Sequence, residues 1–119
     1  MYSIKVEGNF SSAHNLRGYK GKCEDLHGHN WKVEVLICSD KLDKIGMVMD
    51  FKFVKKALTD ILEKLDHKYL NKVVYFKKVN PTSENIARYI YDKLKLRMPQ
   101  LSSVTVWENH SSLAIYDEK

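Results

Sequence analysis

The sequence has few cysteines and prolines. Among its 119 residues are only Cys23 and Cys38, together with two prolines. Two thiols are too few for a disulfide scaffold, so we expect a reducing, cytoplasmic compartment. No apolar run is long enough to cross a bilayer, and charges interrupt the first residues, where a secretory signal needs an apolar stretch. A glycine-rich dinucleotide fingerprint and a helical H-E-x-x-H zinc motif are both missing, which argues against nicotinamide enzymes and against zinc hydrolases of that type.

The composition is that of a globular protein, with 44% hydrophobic and 29% charged residues and no low-complexity linker. We therefore expect a single domain over residues 1–119. Lysine and arginine number 20 against 15 acidic residues, a net charge of +5, which favours an anionic partner. Because these basic residues are dispersed rather than gathered in a stripe, we expect a phosphorylated small molecule and neither nucleic acid nor membrane.

Hydrophobic periodicity predicts the secondary structure. Apolar residues alternate with polar ones from Tyr2 to His14 and again from Trp31 to Ile37, the pattern of half-buried strands. Residues 15 to 27 between them contain two glycines and several charges, which predicts a long loop of the kind that often carries function.

Two amphipathic helices and a hairpin complete the prediction. The first helix follows Asp50, a good N-cap, and the second begins near Thr82 and stops at Met98-Pro99. The runs 103–109 and 112–116 resemble a hairpin. The order strand, strand, helix, helix, strand, strand predicts an α+β fold with an antiparallel sheet.

Three histidines fall on inward-facing strand positions. His27 and His29 share the register of Trp31, and His14 ends the apolar register of the first strand. If these strands pair antiparallel, the three imidazoles meet at one end of the sheet. A single inward histidine is usually a hydrogen-bonded core residue, but three buried unpaired imidazoles are costly. The pattern therefore predicts a metal site, with zinc first by ligand type and iron, nickel or cobalt as alternatives.

The two cysteines differ in register and position. Cys23 precedes the histidine pair by four residues. It is either a fourth ligand that closes a structural site or a free thiol that acts as base or nucleophile beside the metal. Spacing alone leaves both open, whereas Cys38 falls on the opposite register of its strand and is interpreted as a small sheet-face residue.

Acidic residues at two places are further candidates. Asp66-His67 follows the first helix; the histidine either interacts with the helix C-terminus or is an acid–base group oriented by the carboxylate. Glu108 shares the register of Val104 and Val106, where a carboxylate needs a partner. Either an internal lysine or arginine or the two N–H donors of a ligand edge would supply one.

With these residues identified, the sequence resembles the 6-pyruvoyltetrahydropterin synthase/6-carboxytetrahydropterin synthase family. The matching segments run along nearly the whole chain: Phe10–His14, Cys23–His29, Gly46–Phe51, Leu65–His67, Leu70–Asn71, Pro81–Asn85 and Glu108. Cysteine followed by His-Gly-His, with an upstream Ala-His, is the most specific part.

The resemblance implies a tunnelling fold, with a four-stranded antiparallel sheet and two helices on one face. In the family, three subunits join their sheets into a barrel, and two trimers stack into a homohexamer. The segment resembling Thr82, Ser83 and Glu84 reaches the pterin from a neighbouring subunit, which implies active sites at subunit interfaces.

The resemblance also implies residue roles. His14, His27 and His29 hold zinc, and Cys23 is a catalytic base rather than a ligand.

Further roles follow from the same resemblance. Asp66 and His67 complete a relay with the cysteine, and Glu108 binds the pterin ring. The short spacing before His-Gly-His resembles the 6-carboxy-5,6,7,8-tetrahydropterin synthases of 7-deazaguanine (queuosine) synthesis. These lyases convert 7,8-dihydroneopterin triphosphate to 6-carboxytetrahydropterin, acetaldehyde and triphosphate. The alternatives are pyruvoyl formation and the dihydroneopterin cleavage of folate synthesis, the latter because Glu24 follows Cys23.

Overall fold

The computed structural model describes residues 1–119, and its elements follow the predicted order. They are β1 (Tyr2–His14), β2 (His27–Ser39), α1 (Phe51–Leu62), α2 (Ser83–Lys95), β3 (Leu101–Asn109) and β4 (Ser112–Asp117). The four strands form one antiparallel sheet in the order β1-β2-β3-β4. This arrangement confirms the predicted α+β fold. No helix is long and apolar enough to cross a membrane.

The pairing of β1 with β2 sets the positions of the aromatic and histidine side chains on these strands. All 13 residues of β1 have partners in β2, from Tyr2 opposite Ser39 to His14 opposite His27. The register sets Phe10 against Trp31, whose rings stack with centroids 5.9 Å apart. Because β2 begins at His27, the connecting loop is 15–26, one residue shorter than predicted.

Both helices begin at side-chain caps. The Asp50 carboxylate accepts the N–H of Lys52 at 2.9 Å, and the Thr82 hydroxyl accepts the N–H of Asn85 at 3.1 Å. The segment between α1 and α2 contains two short 3₁₀ turns, Leu70–Lys72 and Val74–Lys77, that periodicity did not predict. Turns this short hold too few apolar residues to reveal a period.

The two faces of the sheet differ in chemistry. Alternate strand residues and the apolar stripes of α1 and α2 form one core of 24 buried residues. The opposite, helix-free face carries charged side chains: Lys32 lies 3.4 Å from the carboxylate of Glu7 and 3.3 Å from that of Glu34. Both helices therefore lie on one face of the sheet.

Gly8 lets α1 approach β1 closely. A Cβ at this position would lie 2.8 Å from Cδ1 of Leu62 and 3.1 Å from Cδ2 of Leu58, both buried. We expect Gly8→Ala to lower the free energy of unfolding by about 1 kcal/mol, because the overpacking exceeds the gain in backbone entropy. Urea denaturation measures the change. Gly28→Ala is the control, since its Cβ would meet only the Ser12 carbonyl oxygen at 3.9 Å; equal losses in the two variants would contradict the explanation.

Candidate metal centre and active site

The ends of β1 and β2 bring three histidines together. His14 lies opposite His27, and His29 lies opposite Ser12, all at one end of the sheet. The ring centroids are 4.6 Å apart for His14 and His27, 5.2 Å for His14 and His29, and 4.8 Å for His27 and His29. The inward register inferred from the sequence accounts for this convergence.

Backbone carbonyls fix the tautomers of two rings. Nδ1 of His14 lies 2.7 Å from the carbonyl oxygen of Pro81, and Nδ1 of His27 lies 2.8 Å from that of Asp25. A carbonyl oxygen can only accept, so each Nδ1 carries the proton and each neutral ring has its lone pair on Nε2. Carbonyl partners of this kind orient metal-binding histidines.

The Nε2 atoms of His14 and His27 face each other, and neither carries a proton, because in each ring the proton is on Nδ1. They are 3.0 Å apart, a separation at which two lone pairs repel unless a proton or a metal ion lies between them. Burial, more than any other cause, lowers the pKa of His14 below its usual value. Because both Nδ1 atoms already carry the ring proton, a metal ion between the two Nε2 atoms accounts for their close approach.

His29 and Glu108 complete the cluster. Nε2 of His29 is buried without a hydrogen-bond partner and lies 3.5 Å from Oε1 of Glu108. One donor atom from each of His14, His27, His29 and Glu108 lies within 4.8 Å of the others. Three imidazoles and a carboxylate form a donor set that zinc and other transition metals accept, so the residues present fit a metal ion.

Glu108 lies at an irregularity in the pairing of β3 with β4. The pairing of β3 with β4 shifts register between Trp107 and Asn109, leaving Glu108 without a partner there. Bulges change the direction of a side chain at a strand end. The carboxylate also accepts the Ser83 hydroxyl at 3.5 Å within the same chain. Sequence reasoning assigned Glu108 to the pterin and did not foresee its proximity to the histidines.

Cys23 lies outside this group of four donors. Its side chain is exposed in loop 15–26. The base of the loop is closed by Glu24, whose N–H donates to the Leu16 carbonyl at 2.9 Å and whose Oε1 accepts the Leu16 N–H at 3.2 Å. Of the two interpretations left by the spacing, the absence of Cys23 from the group of converging donors favours the free thiol.

Asp66 and His67 lie against the outer edge of β1. Oδ1 of Asp66 accepts the N–H of Ser11 at 2.8 Å, and Oδ2 lies 2.9 Å from Nδ1 of His67. The Ser11 N–H is the main reason that the pKa of Asp66 is lowered, and His67 adds to it. His67 has a positive φ of 54° and an exposed ring. The strained backbone and the carboxylate together fix the direction in which this imidazole points.

The residues predicted to reach the pterin have different roles within the chain. Thr82 is the N-cap of α2, and Glu84 lies in the first turn of that helix. Only Ser83 of the three contacts another candidate, Glu108 of the same chain. The functional groups that sequence reasoning missed are the Pro81 and Asp25 carbonyls, because backbone atoms carry no residue signature.

The fold and the cluster together define the class. A four-stranded antiparallel sheet with two helices on one face and a histidine–carboxylate group at one sheet end is a tunnelling-fold protein with a metal-type site. The model of the family described as 6-pyruvoyl tetrahydropterin synthase matches residues 3–119. The chain belongs to this family, which implies an enzyme that acts on pterins.

Relatives in the family carry several activity names. The chain is 41% identical to the 6-carboxy-5,6,7,8-tetrahydropterin synthase of Synechocystis, over 98% of this chain and 93% of that one. It is 34% identical to the dihydroneopterin monophosphate aldolase of Pyrococcus furiosus, over 90% of each chain. The structure of Caenorhabditis elegans 6-pyruvoyl tetrahydropterin synthase matches with a TM-score of 0.88 and 30% identity, over 99% of this chain and 96% of that chain.

Proposed function

We propose that the protein is a zinc-dependent 6-carboxy-5,6,7,8-tetrahydropterin synthase, a lyase of the 7-deazaguanine (queuosine) pathway. Its substrate is 7,8-dihydroneopterin triphosphate, and its products are 6-carboxytetrahydropterin, acetaldehyde and triphosphate. The observation that carries the proposal is the pair of Nε2 lone pairs of His14 and His27, 3.0 Å apart beside His29. The relative from Synechocystis supports the particular product.

The metal ligands in this proposal are His14, His27 and His29. Zinc bound there supplies Lewis-acid chemistry that polarises the hydroxyl groups of the substrate side chain. Glu108 accepts the 2-amino group and N3–H of the pterin ring, two parallel donors that match a carboxylate. Glu108 lies 3.5 Å from Nε2 of His29, so a ring bound to it would lie beside the proposed metal ligands.

Proton transfer is assigned to Cys23 and His67. The Asp66 carboxylate lies 2.9 Å from Nδ1 of His67, which leaves Nε2 as the atom that takes up or releases a proton. The thiol of Cys23 is free and exposed, so it can act as the base toward the substrate side chain.

The assembly in this proposal is a homohexamer of two trimers, with active sites at subunit interfaces. β1 and β4 are the two edges of the sheet, and β4 carries the exposed side chains of Leu113 and Ile115. A sheet closed into a barrel with neighbouring copies leaves no such edges. Thr82, Ser83 and Glu84 are then the residues that contact a neighbour's pterin.

Cleavage of dihydroneopterin is the second candidate, favoured by the relative from Pyrococcus furiosus and by Glu24 next to Cys23. The Glu24 carboxylate, however, accepts the N–H of Leu16 at 3.2 Å. This contact engages the carboxylate in closing the loop, which favours Cys23 as the base.

Product identification tests the proposal. The zinc-loaded protein is incubated with 7,8-dihydroneopterin triphosphate without a reductant, and the pterins are analysed by mass spectrometry. We expect 6-carboxytetrahydropterin and acetaldehyde. A pyruvoyl or hydroxymethyl product would instead assign one of the alternative activities, and no conversion would contradict all three.

A further inference from the structure

Two asparagine side chains bind the backbone that follows β1. Oδ1 of Asn71 accepts the N–H of Asn15 at 3.0 Å, while its Nδ2 donates to the Asn15 carbonyl at 2.8 Å. Oδ1 of Asn80 accepts the N–H of Arg17 at 2.9 Å, and its Nδ2 donates to the Arg17 carbonyl at 2.9 Å. A side-chain amide has a donor and an acceptor, so each one pairs with both backbone groups of a residue. We call these two contacts the asparagine clamps.

The Asn80 clamp leads to a histidine of the cluster. Asn80 directly precedes Pro81, whose carbonyl accepts Nδ1–H of His14 at 2.7 Å. The Asn80 carbonyl is itself held by the side chain of Asn85 at 2.9 Å. Because Arg17 follows His14 by three residues, the segment 80–81 binds both His14 and the chain just beyond it. Asn80 and Pro81 therefore form a continuous link between the Arg17 backbone and the His14 ring.

The Asn71 clamp leads to the cysteine loop. Asn15, which Asn71 holds, donates from Nδ2 to the Glu24 carbonyl at 3.1 Å and accepts the Tyr69 hydroxyl at 2.8 Å. Glu24 directly follows Cys23 and closes the base of loop 15–26. Asn71 is only 9% exposed, a buried polar side chain that the proposed chemistry leaves without a role.

We propose that the asparagine clamps are positioning elements with separate targets. Asn80 orients His14 for metal binding, through Pro81. Asn71 holds the loop that carries Cys23, through Asn15 and Glu24. Neither asparagine is assigned contact with the substrate, and the catalytic consequence of the Asn71 clamp rests on the proposed function.

The Asn80 target is tested by metal affinity and tautomer. We expect Asn80→Ala to weaken zinc binding about 10- to 100-fold, measured by competition with a chromophoric chelator, as for other outer-shell partners of metal ligands. In the metal-free protein, long-range nitrogen–proton NMR should show part of His14 shifting from the Nδ1–H to the Nε2–H tautomer. Unchanged zinc affinity or an unchanged tautomer would overturn this assignment.

The Asn71 target is tested by local opening. We expect Asn71→Ala to raise hydrogen exchange at the Glu24 amide about tenfold, to lower kcat without changing KM, and to leave zinc affinity unchanged. A Glu24 amide that remains as protected as in the wild type would overturn it. The assignment would also be overturned if Asn71→Ala and Asn80→Ala each changed both zinc affinity and hydrogen exchange in the loop, because the two clamps would then not have separate targets.

Two controls make these outcomes specific. Ile37→Val removes a methylene group at the opposite end of β2 and reports any effect of lost stability alone. Asn71→Asp and Asn80→Asp keep the acceptor oxygen, replace the donating amide nitrogen by a second acceptor and add one negative charge, and they replace any alanine variant that does not fold. Zinc affinity and hydrogen exchange need no turnover. These measurements therefore remain valid if the proposed substrate is wrong. Likewise, product identification remains valid if the asparagines do not have the proposed roles.

Discussion

Replacing Cys23 by alanine should reduce turnover of 7,8-dihydroneopterin triphosphate by about 10²- to 10⁴-fold, the range for loss of a general acid–base group. Zinc should remain bound, because the four converging donors do not include this thiol. The side chain is exposed, so its removal leaves no cavity and the fold should keep its stability. Product formation by mass spectrometry and metal content by elemental analysis measure the two effects together.

The second thiol of the chain is the matched control for this variant. Cys38 lies on the helix-free face, where its sulfur contacts the Ser3 hydroxyl at 3.3 Å. Cys38→Ala should retain full activity. Loss of zinc from Cys23→Ala would show that the thiol is a ligand, and an active Cys23→Ala would remove it from proton transfer.

Replacing Glu108 by glutamine should raise KM about 10- to 100-fold and leave zinc affinity and kcat nearly unchanged. In the proposed complex the carboxylate accepts hydrogen bonds from two donors of the pterin ring. In the glutamine variant the amide N–H faces one of these ring N–H donors, so that donor loses its acceptor. Leaving a donor mispaired costs about 1–3 kcal/mol, which corresponds to this range. Steady-state kinetics and zinc competition separate the two effects.

The position of Glu108 also allows a different result, in which the carboxylate binds the metal ion and not the pterin ring. Oε1 of Glu108 lies 3.5 Å from Nε2 of His29, close enough to serve as a fourth metal ligand. If Glu108→Gln weakens zinc binding instead of raising KM, the carboxylate belongs to the metal and the ring is held elsewhere. Glu63→Gln, at an exposed carboxylate following α1, controls for the loss of one charge.

The periodicity of hydrophobic residues predicted the strands and helices, because it records which side chains are buried. Alternation from Tyr2 to His14 sets which residues face the helices, and the same register turns the histidines inward. Asp50 and Thr82 marked the helix starts because a cap is a local side-chain contact. Convergence of the imidazoles then required only that β1 and β2 pair antiparallel.

The features that the sequence could not predict are contacts of backbone atoms, an irregularity in strand pairing and contacts between distant residues. The carbonyls of Pro81 and Asp25 choose the histidine tautomers, yet every residue has a carbonyl. The shift in pairing register beside Glu108 is an irregularity between β3 and β4, which alternation along one strand cannot locate. The asparagine clamps join residues more than 50 positions apart, beyond the reach of any local pattern.

Loop 15–26 is bounded at both ends by candidate metal ligands, and its base is closed by contacts between Leu16 and Glu24. Residues between these contacts can be added or removed without moving either histidine. Doubling the length of a loop costs only about 0.6 kcal/mol in closure entropy. The scaffold therefore separates the histidine cluster, which both ends of the loop hold in place, from the segment that carries Cys23, whose length can vary.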